Sequence, residues 1–413
     1  MLLARDLPTL AGALAALYAR VPLGMRLGLG PMKEACLAMG SPERAFSAVH
    51  VAGTNGKGSV CAMVESIARA EGLRSGLYTS PHLCRFAERI RIDGEPIDDA
   101  TLAPLLTRVL EQAPELSFFE AATLAAFVAF RDAGVDLAVV EVGIGGRLDA
   151  TNVLPAPRAA AITRIAFDHM DRLGPSLVDI AREKAGIAKP GMDLVLGPID
   201  AEPLAAIEAV ARASGARTTR AADVPEAARF ASSARIGLAG AHQRDNAAIA
   251  YVVGERIGAS AEARARGIAT VGWAGRMETI HRDGGAFLLD AAHNPDGIAA
   301  LARHLDSLAL PPANTALVFG ALADKDWAAM LSALARSASH RFYVRPQGRV
   351  ATPPEQLAHL APGQPQATLA QALASARTKV GSAGLVVVAG SIFLVGEARA
   401  LLLELPRDPA VAL

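Results

Sequence analysis

The chain carries no net charge, no apolar run of membrane length and only three cysteines, and each shortage removes a class of function. Lys plus Arg and Asp plus Glu both total 41 among the 413 residues, so no net field draws the protein to nucleic acid or to an anionic membrane. Small molecules are the expected partners. The longest apolar stretches, near Ala121 to Phe130 and Gly384 to Gly396, fall short of the roughly 18 to 20 residues a spanning helix requires. Leu10 to Ala19 has the length of a signal-peptide core, but Arg5 is offset by Asp6 and followed by Pro8, so an amphipathic helix is expected there. Cys36, Cys61 and Cys84 are odd in number and form no C-x-x-C pair, which argues against a disulfide framework and a cysteine zinc site. A soluble, cytoplasmic protein is the expectation.

What is present is a regular alternation of short β-rich runs with alanine- and leucine-rich helical stretches. Phe46 to Val51, Ser75 to Thr79, Leu137 to Val140, Ala159 to Thr163 and Leu194 to Leu196 read as buried strands of a parallel sheet covered on both faces. A second series, Ala286 to Asp290, Thr315 to Phe319, Arg341 to Val344 and Leu385 to Ala389, predicts a separate, smaller doubly wound domain. The fold class is therefore α/β: an N-terminal P-loop domain over 1–272 with a parallel-rich sheet, and a Rossmann-like C-terminal domain over 273–413. Ala201 to Arg235 reads as helix with loops.

The stretch His50-Val-Ala-Gly-Thr-Asn-Gly-Lys-Gly-Ser-Val60 follows a strand and opens a helix with apolar spacing at Val60, Met63, Val64, Ile67 and Ala68. Strand, glycine loop and helix N-terminus are what a phosphate cradle needs, because backbone N–H groups converge on the anion. It is not a strict Walker A loop, since Gly58 separates Lys57 from Ser59. Glu141 ends another strand, where open α/β sheets bind ligands, and a carboxylate there suits Mg²⁺. The glycines that follow it, Gly143, Gly145 and Gly146, fit either a site or a strand-end turn that needs glycine. Asp168-His169 follows a third strand; Lys184 reads as a surface helix lysine; Asp290-Ala-Ala-His-Asn-Pro295 ends the first strand of the second domain, with Pro295 opening a helix.

Taken in order, GTNGKGS (53–59), TSPHL (79–83), ERIRI (88–92), SFFE (117–120), EVGIGGRLDATN (141–152), DHMDRLG (168–174), REKAGIAKPG (182–191), AHQRDNA (241–247), AGRME (274–278), DAAHNP (290–295) and GSIFLVGEAR (390–399) resemble the folylpolyglutamate synthase/dihydrofolate synthase family, within the Mur-type ATP-dependent amide ligases. The resemblance covers nearly the whole chain. It implies an ATP-driven ligase that joins L-glutamate to dihydropteroate, giving dihydrofolate, and to folylpolyglutamate tails, through an acyl phosphate.

By the same resemblance, Thr54, Asn55, Gly56, Lys57, Gly58 and Ser59 cradle the phosphates of ATP, with Asn246 on the adenine side and Arg276 and Asp290 as further ATP residues. Ser80, Glu141, His169 and Lys184 correspond to ligands of two magnesium sites, with Lys184 carried as a carbamate; Lys57, His169 and Lys184 are the catalytic candidates. Pro81, His82, Arg85, Ser117, Phe119 and Asp149 fall where the pteroyl group binds, with Arg85 and Arg89 as partners for substrate carboxylates, while His293 and Ser391 help to place glutamate. The implied partners are dihydropteroate, folates and L-glutamate, with no nucleic acid and no membrane, and the expected state is a monomer. A folylpolyglutamate synthase without the first activity remains open. So does, from another class, a P-loop kinase or NTPase. A Mur-type ligase for a nucleotide-linked peptidoglycan precursor is disfavoured, because only 52 residues precede Gly53 and a uridine-recognition domain has no room there.

Overall fold

The computed structural model describes residues 9–21 and 28–408. The residues used to weigh a signal segment, Arg5, Asp6 and Pro8, lie outside the described residues, while the run after them forms the helix Leu10–Tyr18. No helix of the described residues is long and apolar enough to cross a membrane. The chain divides into two compact units. The first comprises 1–81, 86–237 and 243–271; the second comprises 82–85, 238–242 and 272–413. A boundary between 272 and 273 thus lies beside only one of several crossings, because two short segments of the N-terminal part belong to the C-terminal unit.

The first unit is built on strands β1 (Ser47–Ala52), β2 (Ser75–Tyr78), β3 (Ile90–Ile92), β4 (Glu95–Pro96), β5 (Leu137–Glu141), β6 (Ala159–Ile162), β7 (Asp193–Leu196) and β8 (Arg217–Arg220). Their order across the sheet is β4-β3-β2-β5-β1-β6-β7-β8. From β2 to β8 all neighbours are parallel, and only the β2–β3 and β3–β4 pairings are antiparallel. β2, β5, β6 and β7 are buried along their whole length, as expected of apolar runs with helices on both faces. Ile162, Leu194 and Leu196 pack with Ile180, Ile187 and Ile207 in one continuous core. Ala201 to Arg235 proves to contain a strand: the helices Ala201–Ala213 and Pro225–Ser233 flank β8, whose sequence Arg-Thr-Thr-Arg has no apolar run because it closes the sheet edge.

The second unit carries β9 (Glu278–Arg282), β10 (Gly285–Leu289), β11 (Thr315–Phe319), β12 (His340–Tyr343), β13 (Gln364–Pro365) and β14 (Leu385–Ala389). Its order is β13-β12-β11-β14-β10-β9, parallel except for the β9–β10 hairpin. Two apolar layers, one around Phe319, Leu317 and Val387 and the other around Val318, Val386 and Val388, cover its two faces. Within this unit, Cys84 Sγ donates to Gly396 O at 3.3 Å and Asp408 N donates to Cys84 O at 3.0 Å, which anchors the segment 82–85 to the helix Ile392–Leu403 and the tail beyond it.

Candidate active site

Strands β2, β5, β1 and β6 are consecutive in the first sheet, so their carboxyl ends set four distant segments in a row. β2 delivers Ser80, β5 ends on Glu141, β1 runs into 53–59, and β6 leads to Asp168 and His169. From β1 the chain moves to one side for β2 and to the other for β6, which makes this edge the switch point where open α/β sheets bind ligands.

The glycine loop is fixed on both flanks. Thr54 N donates to Arg164 O at 2.7 Å, Ala166 N donates to Thr54 Oγ1 at 3.1 Å, and Thr163 Oγ1 donates to Asn55 O at 2.7 Å, all from the exit of β6. Gly56 precedes the helix Lys57–Ala70 with φ 91°, and a Cβ there would come within 2.6 Å of Asn246 Oδ1. Both conditions demand glycine. Ser59, expected in the cradle, is buried, and its hydroxyl accepts from Gln243 Nε2 at 3.2 Å; Gln243 in turn accepts from Asn246 Nδ2 at 2.9 Å. Ser59 therefore ties the loop helix to the helix Gln243–Arg256. Gln243 lies within the AHQRDNA stretch, where nothing singles it out beyond its place three residues before Asn246.

Lys57 and Glu141 face each other. Lys57 Nζ donates to Thr54 O at 3.1 Å and lies 4.0 Å from Glu141 Oε1, while Glu141 Oε2 accepts from Ser80 N at 3.1 Å. Lys184 is not the surface lysine that its helix position suggests. It is 4 % exposed, and burial, followed by the charge of Lys57, pushes its pKa down to about 7 against the opposing pull of Asp168 and Asp149. His169 takes the left-handed conformation at φ 51°, its N–H donates to Asp168 Oδ1 at 3.0 Å, and its Nε2 lies 3.8 Å from the same oxygen. Among the described residues, no group of three His, Cys, Asp or Glu is placed to hold a metal.

The turn after Glu141 acts as a clamp on the end of the helix Leu177–Ala185, which carries Lys184. Arg147 N donates to Glu183 O at 2.9 Å, and Asn152 Nδ2 donates to Arg147 O at 3.0 Å and to Gly186 O at 3.1 Å. A Cβ on Gly146 would approach the carbonyl oxygens of Glu183 and Lys184 at 2.9 Å. Close approach of one backbone to another, rather than an anion, explains this glycine. Asp149 closes the turn: its carboxylate accepts from Ile144 N at 3.0 Å, from Thr151 N at 3.0 Å and from the Thr151 hydroxyl, and its pKa is raised by burial. The N–H of Gly143 is also directed at it, so the acceptor positions of a carboxylate, about four in number, are committed to the turn.

Phe119 is half-buried and lies against Gly143, where a Cβ would meet its ring at 2.4 Å; Tyr78 sits with its ring centroid 6.2 Å from that of Phe119. Ser117 caps the helix that carries Phe119. Its hydroxyl donates to Glu120 Oε2 at 2.6 Å, its N–H donates to the same oxygen at 2.9 Å, and it is buried. The SFFE motif therefore sets the angle at which Phe119 is presented. Arg89, expected to meet a substrate carboxylate, is instead 2 % exposed, with its guanidinium 5.2 Å from the Phe118 ring centroid and 5.7 Å from that of Phe86. Pro81 is exposed and joined to Ser80 by a cis peptide bond. His82 and half-buried Arg85, whose Nε lies 4.0 Å from Asp408 Oδ1, belong to the second unit.

In the second unit, Asp290 follows β10 and is buried, with raised pKa; its two oxygens accept from Met277 N at 2.9 Å and Ala292 N at 3.0 Å. Arg276 stands between Gly275 at φ 65° and Met277 at φ 49° on the turn that Asp290 holds. His293 Nδ1 is 2.9 Å from Ala291 O, and Asn294 caps the helix Pro295–Ser307. Ser391 follows the neighbouring strand β14 and opens the helix Ile392–Leu403; its hydroxyl is buried with no hydrogen-bond partner.

Residues 51–219 match the Mur ligase middle domain and residues 275–392 the Mur ligase, glutamate ligase domain. A folylpolyglutamate synthase of Lacticaseibacillus casei is 35 % identical over 399 residues, spanning 89 % of this chain and 92 % of that one. Two solved structures are similar across 96 % of this chain and 98 % of their own. One is Escherichia coli FolC in complex with DHPP and ADP, with TM-score 0.86 and 29 % identity. The other is a bifunctional folylpolyglutamate synthase/dihydrofolate synthase from Yersinia pestis complexed with AMPPNP and Mn ion, with TM-score 0.84 and 30 % identity. With this identity over nearly all of the Lacticaseibacillus protein, and both Mur ligase domains in order, the chain belongs to the folylpolyglutamate synthase/dihydrofolate synthase family of Mur-type ligases.

Proposed function

We propose that the protein ligates L-glutamate to dihydropteroate and extends folylpolyglutamate tails, with ATP as the driving substrate. The observation that carries this reading is the row of strand ends that sets Lys57 against Glu141 and Ser80 beside a glycine loop built on Gly56. In the first step, a pteroyl or folyl carboxylate oxygen attacks the γ-phosphorus of ATP, ADP leaves, and an acyl phosphate forms. In the second, the glutamate amine attacks the acyl carbon, phosphate leaves, and the amine loses a proton. Lys57 and the N–H groups of Asn55 to Gly58, on the loop that Thr54 pins to Arg164, stabilise the charge on the transferring group, which is where such a site gains most of its rate.

The donor set suits magnesium shared with a nucleotide, which takes one or two protein carboxylates and fills its remaining positions with phosphate oxygens and water. Glu141 would supply one carboxylate, Ser80 a hydroxyl and His169 an imidazole, divided between two magnesium ions. When bound, magnesium neutralises charge on the phosphates. Lys184 fits as an oxygen donor only after its neutral amine adds CO₂ with loss of a proton, giving a carbamate. A lysine with pKa near 7 holds the neutral form that this addition requires.

For the pteroyl group, we assign the ring of Phe119 as the stacking surface, presented by Ser117, with the turn closed by Asp149 shaping the wall beside it; Pro81, His82 and Arg85 are assigned to the same substrate. Asn246 is assigned to ATP, as are Arg276 and Asp290; His293 and Ser391 are assigned to glutamate, the orphaned Ser391 hydroxyl being the group that a ligand would satisfy. A cytoplasmic monomer completes the proposal, with the N-terminal unit as the ATP and folate domain and the C-terminal unit as the glutamate-ligase domain.

The test is incubation with ATP, Mg²⁺, L-glutamate and either dihydropteroate or a tetrahydrofolate, with products read by mass. Addition of one glutamate residue to both acceptors is expected. Addition to the tetrahydrofolate alone reduces the activity to that of a folylpolyglutamate synthase; phosphate release without glutamate, with a phosphorylated product accumulating, replaces the reading with a kinase.

A further inference from the structure

His50 is fully buried in the middle of β1, three residues before the glycine loop, and neither nucleotide binding nor phosphoryl transfer uses it. Its Nε2 lies 2.8 Å from Thr151 Oγ1, across 101 positions of sequence. Thr151 is itself fully buried, and its hydroxyl donates to Asp149 Oδ1. The ring's other nitrogen, Nδ1, is buried and has no partner. Three side chains thus form one line from the strand of the phosphate loop to the turn that backs Phe119 and clamps Lys184.

The protons along this line can be assigned from valence alone. The Thr151 hydroxyl has a single proton, and an ionised carboxylate that collects backbone N–H groups can only accept, so that proton goes to Asp149. Thr151 Oγ1 must then accept from His50, which puts the ring proton on Nε2 and leaves Nδ1 bare. Burial, followed by the charge of Lys189, pushes the pKa of His50 to about 3, so the ring stays neutral with that one proton.

We propose that His50 is a positioning residue for the pteroyl site: its Nε2–H locks the Thr151 hydroxyl onto Asp149 and so fixes the turn 143–149 against Phe119. The effect on catalysis rests on the pteroyl-site assignment made above, whereas the hydrogen-bond line does not. Losing the donor would leave Thr151 free to rotate and Asp149 one bond short, loosening the wall beside the Phe119 ring while the glycine loop keeps its own ties to Thr163, Arg164 and Ala166. A glutamine at position 50 can place its amide Nε2 near that of the imidazole and restore the bond; leucine keeps the bulk without the donor.

Two measurements on the full-length protein test this. With ¹⁵N-labelled histidine, the His50 ring is expected to show a protonated Nε2 and a bare Nδ1 in the ligand-free protein; the opposite tautomer overturns the proposal, whatever the enzyme ligates. In steady-state ligation, His50→Leu is expected to raise KM for the pteroyl substrate about ten-fold, the size of one lost hydrogen bond, with KM for ATP unchanged and His50→Gln close to wild type. Equal shifts in both KM values, no shift in either, or failure of glutamine to rescue would each overturn it. Should His50→Leu not fold, the tautomer and His50→Gln still decide. Should the wild-type protein ligate nothing while the expected tautomer is found, the pteroyl assignment fails and the His50–Thr151–Asp149 line stands.

Discussion

Glu141 and Asp290 each stand at the carboxyl end of a parallel strand, one in each unit, and both are buried. Their surroundings differ in kind. Glu141 has one oxygen on the Ser80 N–H and the other facing the Lys57 ammonium. Asp290 has each oxygen on a backbone N–H of its own unit, Met277 and Ala292. One carboxylate is matched to a side-chain cation, which a bound phosphate would share. The other is built into the main chain and holds the Gly275–Met277 turn. Position at a strand end therefore does not by itself fix how a carboxylate works: Glu141 meets a side-chain cation directly, while Asp290 acts through the turn it holds, and the difference can be tested by substitution.

The largest effect is expected at Lys57, the ammonium that faces Glu141 in the first pattern. Lys57→Ala should lower ligation by about a thousand-fold or more, the scale of a lost charge at a transferring group, with little change in melting temperature; retained turnover would remove Lys57 from the phosphate site. Glu141→Gln should follow, with a loss of about a hundred-fold and a higher Mg²⁺ requirement. Asp290→Asn should instead cost stability, about 1 to 3 kcal/mol by denaturant unfolding, because the new amide faces a backbone N–H that it cannot satisfy. If both carboxylate variants behave alike, the contrast between the two edges is wrong.

Lys184 sharpens the contrast through pH. Its folded pKa, near 7, lies below that of an ordinary lysine. Between those values the folded chain binds fewer protons than the unfolded chain, so stability rises with pH across that window. In bicarbonate-free buffer the wild-type protein should gain stability as pH rises above about 7, and Lys184→Met should flatten the slope. Under bicarbonate, a carbamate carbon signal should appear in the wild type only, and Lys184→Ala should lose activity; an unmodified amine together with a fully active alanine variant would sink the carbamate assignment. The smallest expected change is Ser117→Ala, at about 1 kcal/mol for a lost helix cap, with KM for the pteroyl substrate rising while KM for ATP holds.

Much of the site was legible because its motifs sit at the exits of apolar strands, which place GTNGKGS, Glu141 and Asp168-His169 at one sheet edge. Strand order then added what no single stretch contains, the adjacency of β2, β5, β1 and β6. The edge strands β8 and β9 were missed because one side of such a strand is unpaired and its sequence carries no continuous apolar run. Ser59 and Arg89 turned inward for reasons set by partners distant in sequence, Gln243 and the Phe118 ring, whereas Ser117 turned inward onto Glu120, three residues on, in a capping box that the SFFE stretch already spells. His50 illustrates the same limit, since its partner lies 101 residues away.

The chain passes between its two units five times, after Pro81, Arg85, Gly237, His242 and Val271. No single cut releases either unit whole. A fragment ending at Val271 would keep Cys84 but lose Gly396 and Asp408, the groups that hold it, and a fragment starting at Gly272 would lack two of its own segments. For anyone exchanging parts between relatives, the transferable module is three pieces that must travel together, so the gene cannot be recombined at one junction.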